Sequence, residues 1–285
     1  MTTLVTAASG QLGRLVLDVL LDRGVAPGDL RAGARTPSAL APYAERGVEV
    51  VHLDYDDAAS VEAAVAGTEK VLLVSGSEVG RRVEQHGRVV AAAAAAGVGQ
   101  LVYTSAPLAT TADFALAPEH KATEEAIAAA GVPATVLRNN WYHENYAPDL
   151  ATAREAGVLV SSAGEGRVAS AARADYAEAA AVVLTTDGHV GQTYELAGDV
   201  AWTPQVLADT LGEVLGREVR LQPVSTEEHV ALLESHGLDA GTAGFVASID
   251  DALRRGVLAG SDGTLARLLG RPTTPLAEGL RALAG

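Results

Sequence analysis

The sequence predicts an α/β fold: a doubly wound parallel sheet with a smaller, mostly helical C-terminal substrate lobe. Two observations lead there. Short β-rich runs alternate with helical runs through the first 140 residues, and the first such unit, TTLVTAASGQLGRLVLDVLL at 2–21, joins a buried strand to an apolar helix through a turn holding Gly10 and Gly13. Alternation of this kind folds into a parallel sheet with helices on its faces, because each strand must return by a crossover. Strands are expected at 2–6, 29–34, 48–53, 70–75, 100–104 and 134–138.

The opening turn carries the most specific signal. A strand that enters a helix through small residues lets the backbone approach a pyrophosphate, whose charge then rests on unpaired N–H groups and the positive end of the helix. Gly10 permits that approach and Gly13 lets helix and strand pack closely. In the pattern G-x-x-G-x-x-G the opening position is Ala7, and its Cβ is expected to hold φ negative. The candidate contacts in this stretch are Thr6, Ser9, Gly10, Gln11, Leu12 and Gly13. Glycines alone would be weak evidence; the strand-turn-helix context strengthens them.

Helix signals accompany the later strands. Ser9 reads as a start for the first helix and Asp57 with Ser60 for the helix near 60–66, while Gly24, Gly47, Gly67, Gly97 and Gly131 read as helix ends. VVAAAAAAGV at 89–98 reads as core helix, since alanine is the best helix former and packs tightly. After residue 140 the beat changes. VLVSSAGEGRVAS is expected as a hairpin or loop pair, RADYAEAAAVVLTTDG as an amphipathic helix and TYELAG as a strand. Mostly helical chain follows, with a Thr203–Pro204 helix start and helices near 226–236 and 240–258. The expected division is a nucleotide-binding core of 1–140 with 172–197 and a lobe of 141–171 with 198–285, packed together with the substrate site between them.

Composition excludes several classes. With no cysteine, the chain has no disulfide, iron–sulfur cluster or thiol nucleophile. The formal charge of −15 opposes nucleic acid or an anionic membrane as partner. Neither a signal peptide nor a membrane-spanning apolar run is recognised, so a cytoplasmic protein is expected. The histidines show no paired metal-ligand spacing, so no metal is expected.

The second strand decides which nucleotide. In this fold the residue ending that strand, about twenty positions past the glycine turn, meets the adenosine ribose, and a carboxylate there selects NAD. Here LRAGA runs into Arg35, a forked cationic donor suited to a 2′-phosphate, so NADP(H) is the expected cofactor. Asp54 either bonds the adenine amino group or caps the following helix. Ser75, Gly76 and Ser77 end the fourth strand where the chain passes the middle of the cofactor.

The chemistry is read from an absence. A nicotinamide enzyme on this fold often pairs a tyrosine with a lysine four residues later, and none of the seven tyrosines has one. The acceptor should therefore need little acid help, as a quinone does, since hydride addition gives a delocalised phenolate-like anion. After the sixth strand, LRNNWYHENY supplies Asn139 and Asn140 as donors, and Trp141 and Tyr142 as walls of a flat pocket. Asn140 and Tyr142 are catalytic candidates. So is His120, at a helix start with Glu124 one turn on to orient it, although a histidine there is more often merely exposed.

Together VTAASGQLG, Arg35, SGSEVGRR, LVYTS, LRNNWYHENY, SAARADYAEAAAVVL, YELAGDVAWT and LLGRPTTPLAEGL resemble the flavin-free, second-type NADPH:quinone oxidoreductases among the atypical, NmrA-like short-chain dehydrogenases. The resemblance covers nearly the whole chain. It implies a Rossmann core and direct hydride transfer from NADPH to a quinone, with the phosphate loop at Ser9 to Gly13, the 2′-phosphate at Arg35, strand-four contacts at Ser75 and Ser77, and the nicotinamide side at Arg138 to Tyr142. Ala7 and Lys121 depart from the family pattern. Triphenylmethane-dye or azo reduction is a variant of that reading. The competing class is an NmrA-like redox sensor that binds NADP without turnover. A symmetric homodimer is the expected assembly.

Overall fold

The computed structural model describes residues 2–285, which form two compact units: one of residues up to 110 with 118–139 and 176–194, the other of 111–117, 140–175 and 195–285. No helix among the described residues is long and apolar enough to cross a membrane.

The first unit is built on β1 (Thr3–Val5), β2 (Leu30–Ala34), β3 (Glu49–His52), β4 (Lys70–Leu73), β5 (Gln100–Ser105) and β6 (Ala134–Asn139). After β7 (Val158–Ser161), which belongs to the second unit, β8 (Thr193–Leu196) completes a seven-stranded sheet in the order β3-β2-β1-β4-β5-β6-β8. The ladders joining β1 to β6 are parallel, with Val5 opposite both Ala32 and Leu72. Chain order reverses at β1, which has β2 on one side and β4 on the other. Ligands bind such a sheet beyond the carboxyl ends of its strands at that switch point.

Crossovers are made by α1 (Gln11–Asp22), α2 (Ala41–Glu45), α3 (Ala58–Val65), α4 (Arg82–Ala96) and α5 (Ala117–Ala130). One core joins Leu4, Val71, Leu73, Leu101 and Tyr103 of the sheet to Val61 and Val65 of α3, Val89 and Ala93 of α4, and Ile127 of α5. Only one face of the alanine run is core: Ala92 and Ala93 are buried, whereas Ala94, Ala95 and Ala96 are exposed. Asp57 caps α3, its Oδ1 accepting from Ala59 N–H at 3.0 Å.

The second unit packs α6 (Ala147–Ala156), then, beyond α7 (Arg173–Thr185), α8 (Pro204–Leu215), α9 (Thr226–Ser235), α10 (Ala240–Arg254), α11 (Thr264–Leu269) and α12 (Leu276–Ala284). Their apolar faces meet around Leu150, Leu159, Trp202, Leu207, Leu211, Leu253 and Leu280. Thr203 caps α8, and Ser225 with Glu228 forms a capping box on α9.

One expectation is corrected here. The stretch 158–170 makes no hairpin: β7 pairs in parallel with β9 (Arg220–Pro223), Leu159 opposite Leu221, a partner supplied only after a long crossover. Gly166 serves close packing instead, since a Cβ there would lie 2.5 Å from the Leu253 carbonyl carbon. Helix α7 is buried over most of its circumference. It buries Asp175, Tyr176, Ala177, Ala179, Ala180, Ala181, Val183 and Leu184 and turns one narrow stripe outward, Ala174, Glu178, Val182 and Thr185.

Candidate active site

All the predicted nucleotide contacts, Thr6 to Asn139, lie in the first unit; Asn140, Trp141 and Tyr142 lie in the second. At the end of β1 the backbone turns with Ala8 N–H donating to the Gly33 carbonyl at 2.9 Å and Gly10 N–H to the Ala7 carbonyl at 2.9 Å. That tight return places Ala7 at φ +45°, in the left-handed region. The sequence expectation of a negative φ is overturned, because closing the turn on the Ala7 carbonyl matters more than the local cost of a Cβ there, about 1–2 kcal/mol. Gly13 is fixed by close approach, since an added Cβ would stand 2.6 Å from the Ala7 oxygen and 2.8 Å from Ala8 Cα.

Ser9 does not cap α1. The N-cap is Gly10, no side chain bonds the first-turn amides, and the Ser9 carbonyl instead accepts from Arg14 Nε at 2.9 Å. A helix end with uncapped amides reached only over glycine fits a pyrophosphate. Thr6 faces inward: its Oγ1 donates to the Leu72 carbonyl at 2.9 Å, accepts from Val74 N–H at 3.0 Å and lies 2.5 Å from Tyr55 Oη. It ties β1 to β4 beneath the turn.

At the end of β2, His52 Nδ1–H donates to the Arg35 carbonyl at 3.1 Å, and the Arg35 guanidinium pairs with Glu78 at 3.2 Å. Asp54 is not the cap of α3. Its Oδ1 accepts from Asp56 N–H at 3.0 Å in a local turn, while its own N–H donates to Ser60 Oγ at 3.0 Å.

The segment after β4 is pinned by residues that the motif reading did not single out. Ser75 N–H donates to Thr104 Oγ1 at 2.9 Å, and Gly76 N–H donates to His86 Nε2 at 3.0 Å. That acceptor role puts the proton of the neutral ring on Nδ1, which donates to Thr123 Oγ1 at 3.0 Å. Burial, then the nearby Arg82 charge, lowers the His86 pKa to about 4. Arg82 Nε donates to the Gly76 carbonyl at 2.6 Å and its Nη1 to Glu119 at 3.0 Å, while Glu119 also accepts from Gly80 N–H at 2.8 Å. The i, i+4 spacing of Arg82 and His86 on one helix face was the signal available in the sequence.

The surroundings of His120 differ from those expected at a helix start. It is buried, its Nδ1 lies 2.7 Å from Tyr103 Oη, and burial followed by the Arg82 and His86 charges lowers its pKa to about 3. It is a neutral core ring, not an exposed one. Glu124 does not orient it. That carboxylate holds Arg138 through Nε at 3.0 Å and Nη2 at 2.6 Å and accepts from Ser105 Oγ at 2.6 Å. Arg138 also reaches Thr110 Oγ1 at 3.0 Å, so its guanidinium braces the end of β6. Asn139, ending β6, is buried.

In the second unit the strip 140–146 is held shut. Asn140 Nδ2 donates to the Leu258 carbonyl at 3.0 Å, its Oδ1 accepts from Trp141 N–H at 2.7 Å, and its backbone N–H donates to Leu196 at 2.9 Å. Its carboxamide ties the start of the strip to backbone at both ends. Trp141 packs on the helical core, and the Tyr142 ring lies under the Arg173 guanidinium at 4.9 Å. Buried His143 accepts from Ser170 Oγ at 2.8 Å and donates from Nε2 to the Thr274 carbonyl at 3.1 Å, while Glu144 accepts from Arg173 N–H at 3.0 Å.

A family model described as NAD(P)H-binding matches residues 7–187. The chain belongs to this NAD(P)H-binding family. It is 44% identical to quinone oxidoreductase 2 of Escherichia coli (strain K12), over 98% of this chain and 97% of that protein. The crystal structure of the NADPH-dependent quinone oxidoreductase of Escherichia coli in complex with NADPH superposes with a TM-score of 0.96 at 43% identity, covering 100% of both chains. The triphenylmethane reductase of a Citrobacter species, complexed with NADP(H), matches with a TM-score of 0.94 at 37% identity over 99% of this chain and 100% of that one. The fold is thus the Rossmann type, and the chain is an NAD(P)H-binding oxidoreductase.

Proposed function

We propose that this protein is a flavin-free reductase that passes a hydride directly from NADPH to a quinone. One observation carries the reading: the uncapped start of α1, reached over Gly10 and Gly13 at the switch point of the sheet, with Arg35 and no carboxylate at the end of β2. Full-length similarity to a quinone oxidoreductase supports the same acceptor class.

NADPH, when bound, supplies the hydride. The α1 amides and the glycine turn hold its pyrophosphate, Arg35 its 2′-phosphate and Asp54 the adenine amino group. Ser75, Gly76 and Ser77 line the middle of the nucleotide, on a segment that His86, Arg82 and Glu119 keep in place, and Asn139 meets the nicotinamide end. Trp141 and Tyr142 offer flat faces to an aromatic acceptor. No tyrosine is activated by a lysine: Lys70 Nζ donates to the Leu184 carbonyl at 2.6 Å, and exposed Lys121 lies 3.9 Å from Glu125. A quinone suits that lack. A hydride would bring it one proton and two electrons, giving the hydroquinone monoanion, and one proton from solvent would balance the reduction.

With benzoquinone as acceptor, purified protein is expected to oxidise NADPH faster than NADH and to show no flavin absorbance. Nucleotide binding without turnover of quinones or cationic triphenylmethane dyes would replace this reading with the sensor. Arg35→Ala should lower kcat/KM for NADPH about tenfold and spare NADH; equal losses would remove Arg35 from the 2′-phosphate.

A further inference from the structure

Glu78, in the segment between β4 and α4, joins two arginines. Its Oε1 accepts from Arg35 Nη1 at 3.2 Å, and its Oε2 accepts from Arg81 Nη1 at 3.4 Å and from Gln85 Nε2 at 3.3 Å. Arg81 keeps a second hold through Nη2 on Asp56 Oδ1 at 2.8 Å, and Asp56 in turn faces Arg88. The cluster is open to water: the side chains of Arg35 and Arg81 are 69% and 55% exposed, and that of Glu78 37%. One carboxylate bridging two solvent-reachable guanidiniums stands as a phosphate monoester would, with the same kind of acceptor oxygens but one charge fewer.

We propose that Glu78 is an internal stand-in for the 2′-phosphate of NADP(H), displaced when the nucleotide binds, and that Arg81 then joins Arg35 as a second ligand of that phosphate. The inference rests on the reading of Arg35 given above. Exposed ion pairs are weak, so a dianionic phosphate can take both arginines from the carboxylate. A ribose 2′-hydroxyl cannot, and with NAD(H) the carboxylate stays where it is. Asp56 holds the Arg81 guanidinium in place through the exchange. Glu78 and Arg81 therefore act in opposite directions on one quantity, the preference for the phosphorylated nucleotide.

Calorimetric titration of the full chain with NADP+ and NAD+, and with 2′,5′-ADP and 5′-AMP as probes of the adenosine end, tests this. Glu78→Gln should tighten NADP+ and 2′,5′-ADP about two- to fivefold and leave NAD+ and 5′-AMP unchanged. Arg81→Gln should weaken NADP+ and 2′,5′-ADP about tenfold, again without effect on the ligands lacking the phosphate. The proposal is overturned if Glu78→Gln fails to tighten NADP+, or if Arg81→Gln leaves NADP+ unchanged or weakens NADP+ and NAD+ alike. Arg35→Ala separates the two levels. An unchanged NADP+ to NAD+ ratio in that variant removes the underlying reading, whereas a fall in the ratio with Glu78→Gln and Arg81→Gln both silent removes only the exchange.

Discussion

The turn at 6–13 and the strip at 140–146 treat their polar groups in opposite ways. At the turn the first amides of α1 follow Gly10 and have no side-chain cap. Along the strip, Asn140, His143 and Glu144 each bond backbone of their own unit. An anion site needs donors left open, and openness is written into a sequence as glycine and the lack of a cap. A polar side chain inside a helical lobe is as easily a brace as a ligand, and its residue type does not say which.

That contrast predicts different failures. The largest effect is expected from Asn140→Ala, which leaves the Leu258 carbonyl and the Trp141 N–H without their side-chain partner; it should cost about 3 kcal/mol in urea unfolding while NADP+ affinity, measured on the folded protein, stays the same. A loss of affinity with intact stability would make Asn140 a ligand after all. Gly13→Ala should do the converse at the turn, abolishing measurable NADP+ binding as its Cβ presses on the Ala7 and Ala8 backbone, at a stability cost of about 2 kcal/mol. Normal titration of that variant would mean the turn does not hold the pyrophosphate.

The second unit also holds a pH-dependent weakness that the first lacks at its turn. Asp149, in the first turn of α6, is raised from 3.8 to about 7 by burial and then by the Asp250 charge, with His229 opposing. Asp250 lies on α10, His229 on α9, and Tyr146, whose hydroxyl is buried without a partner, precedes α6. The folded state favours the protonated acid, so its stabilising contribution is full below about pH 4 and is lost as pH rises through about 7. Asp149→Asn should remove that slope and stabilise the protein at pH 8 by about 2 kcal/mol, read from denaturation midpoints at pH 5 and 8. Equal midpoint shifts at both pH values would show that the carboxyl is not strained. The smallest effect belongs to Ala7→Gly, which relieves the left-handed alanine and should add about 1 kcal/mol while NADP+ still binds. Destabilisation would show that the Cβ packs usefully there.

Periodicity and punctuation carried much of the fold. β1 to β6 fall within a residue or two of the runs read from the sequence, because a central parallel strand must be apolar on both faces and its helix must stop at a turn. The glycine turn and Arg35 were legible because each is a local chemical requirement at a fixed place in a βα unit. The intramolecular partners of His120, Arg138 and Asn140 were not, because Tyr103, Glu124 and Leu258 come from other elements that nothing local records. The same holds for β7, whose partner β9 lies about sixty residues away. Local sequence was enough to place the glycine turn after β1 and Arg35 after β2, because each depends on residues adjacent in the chain. Tertiary structure decided which polar side chains remained available, because burial satisfies a hydrogen-bonding group with whatever the fold brings near it.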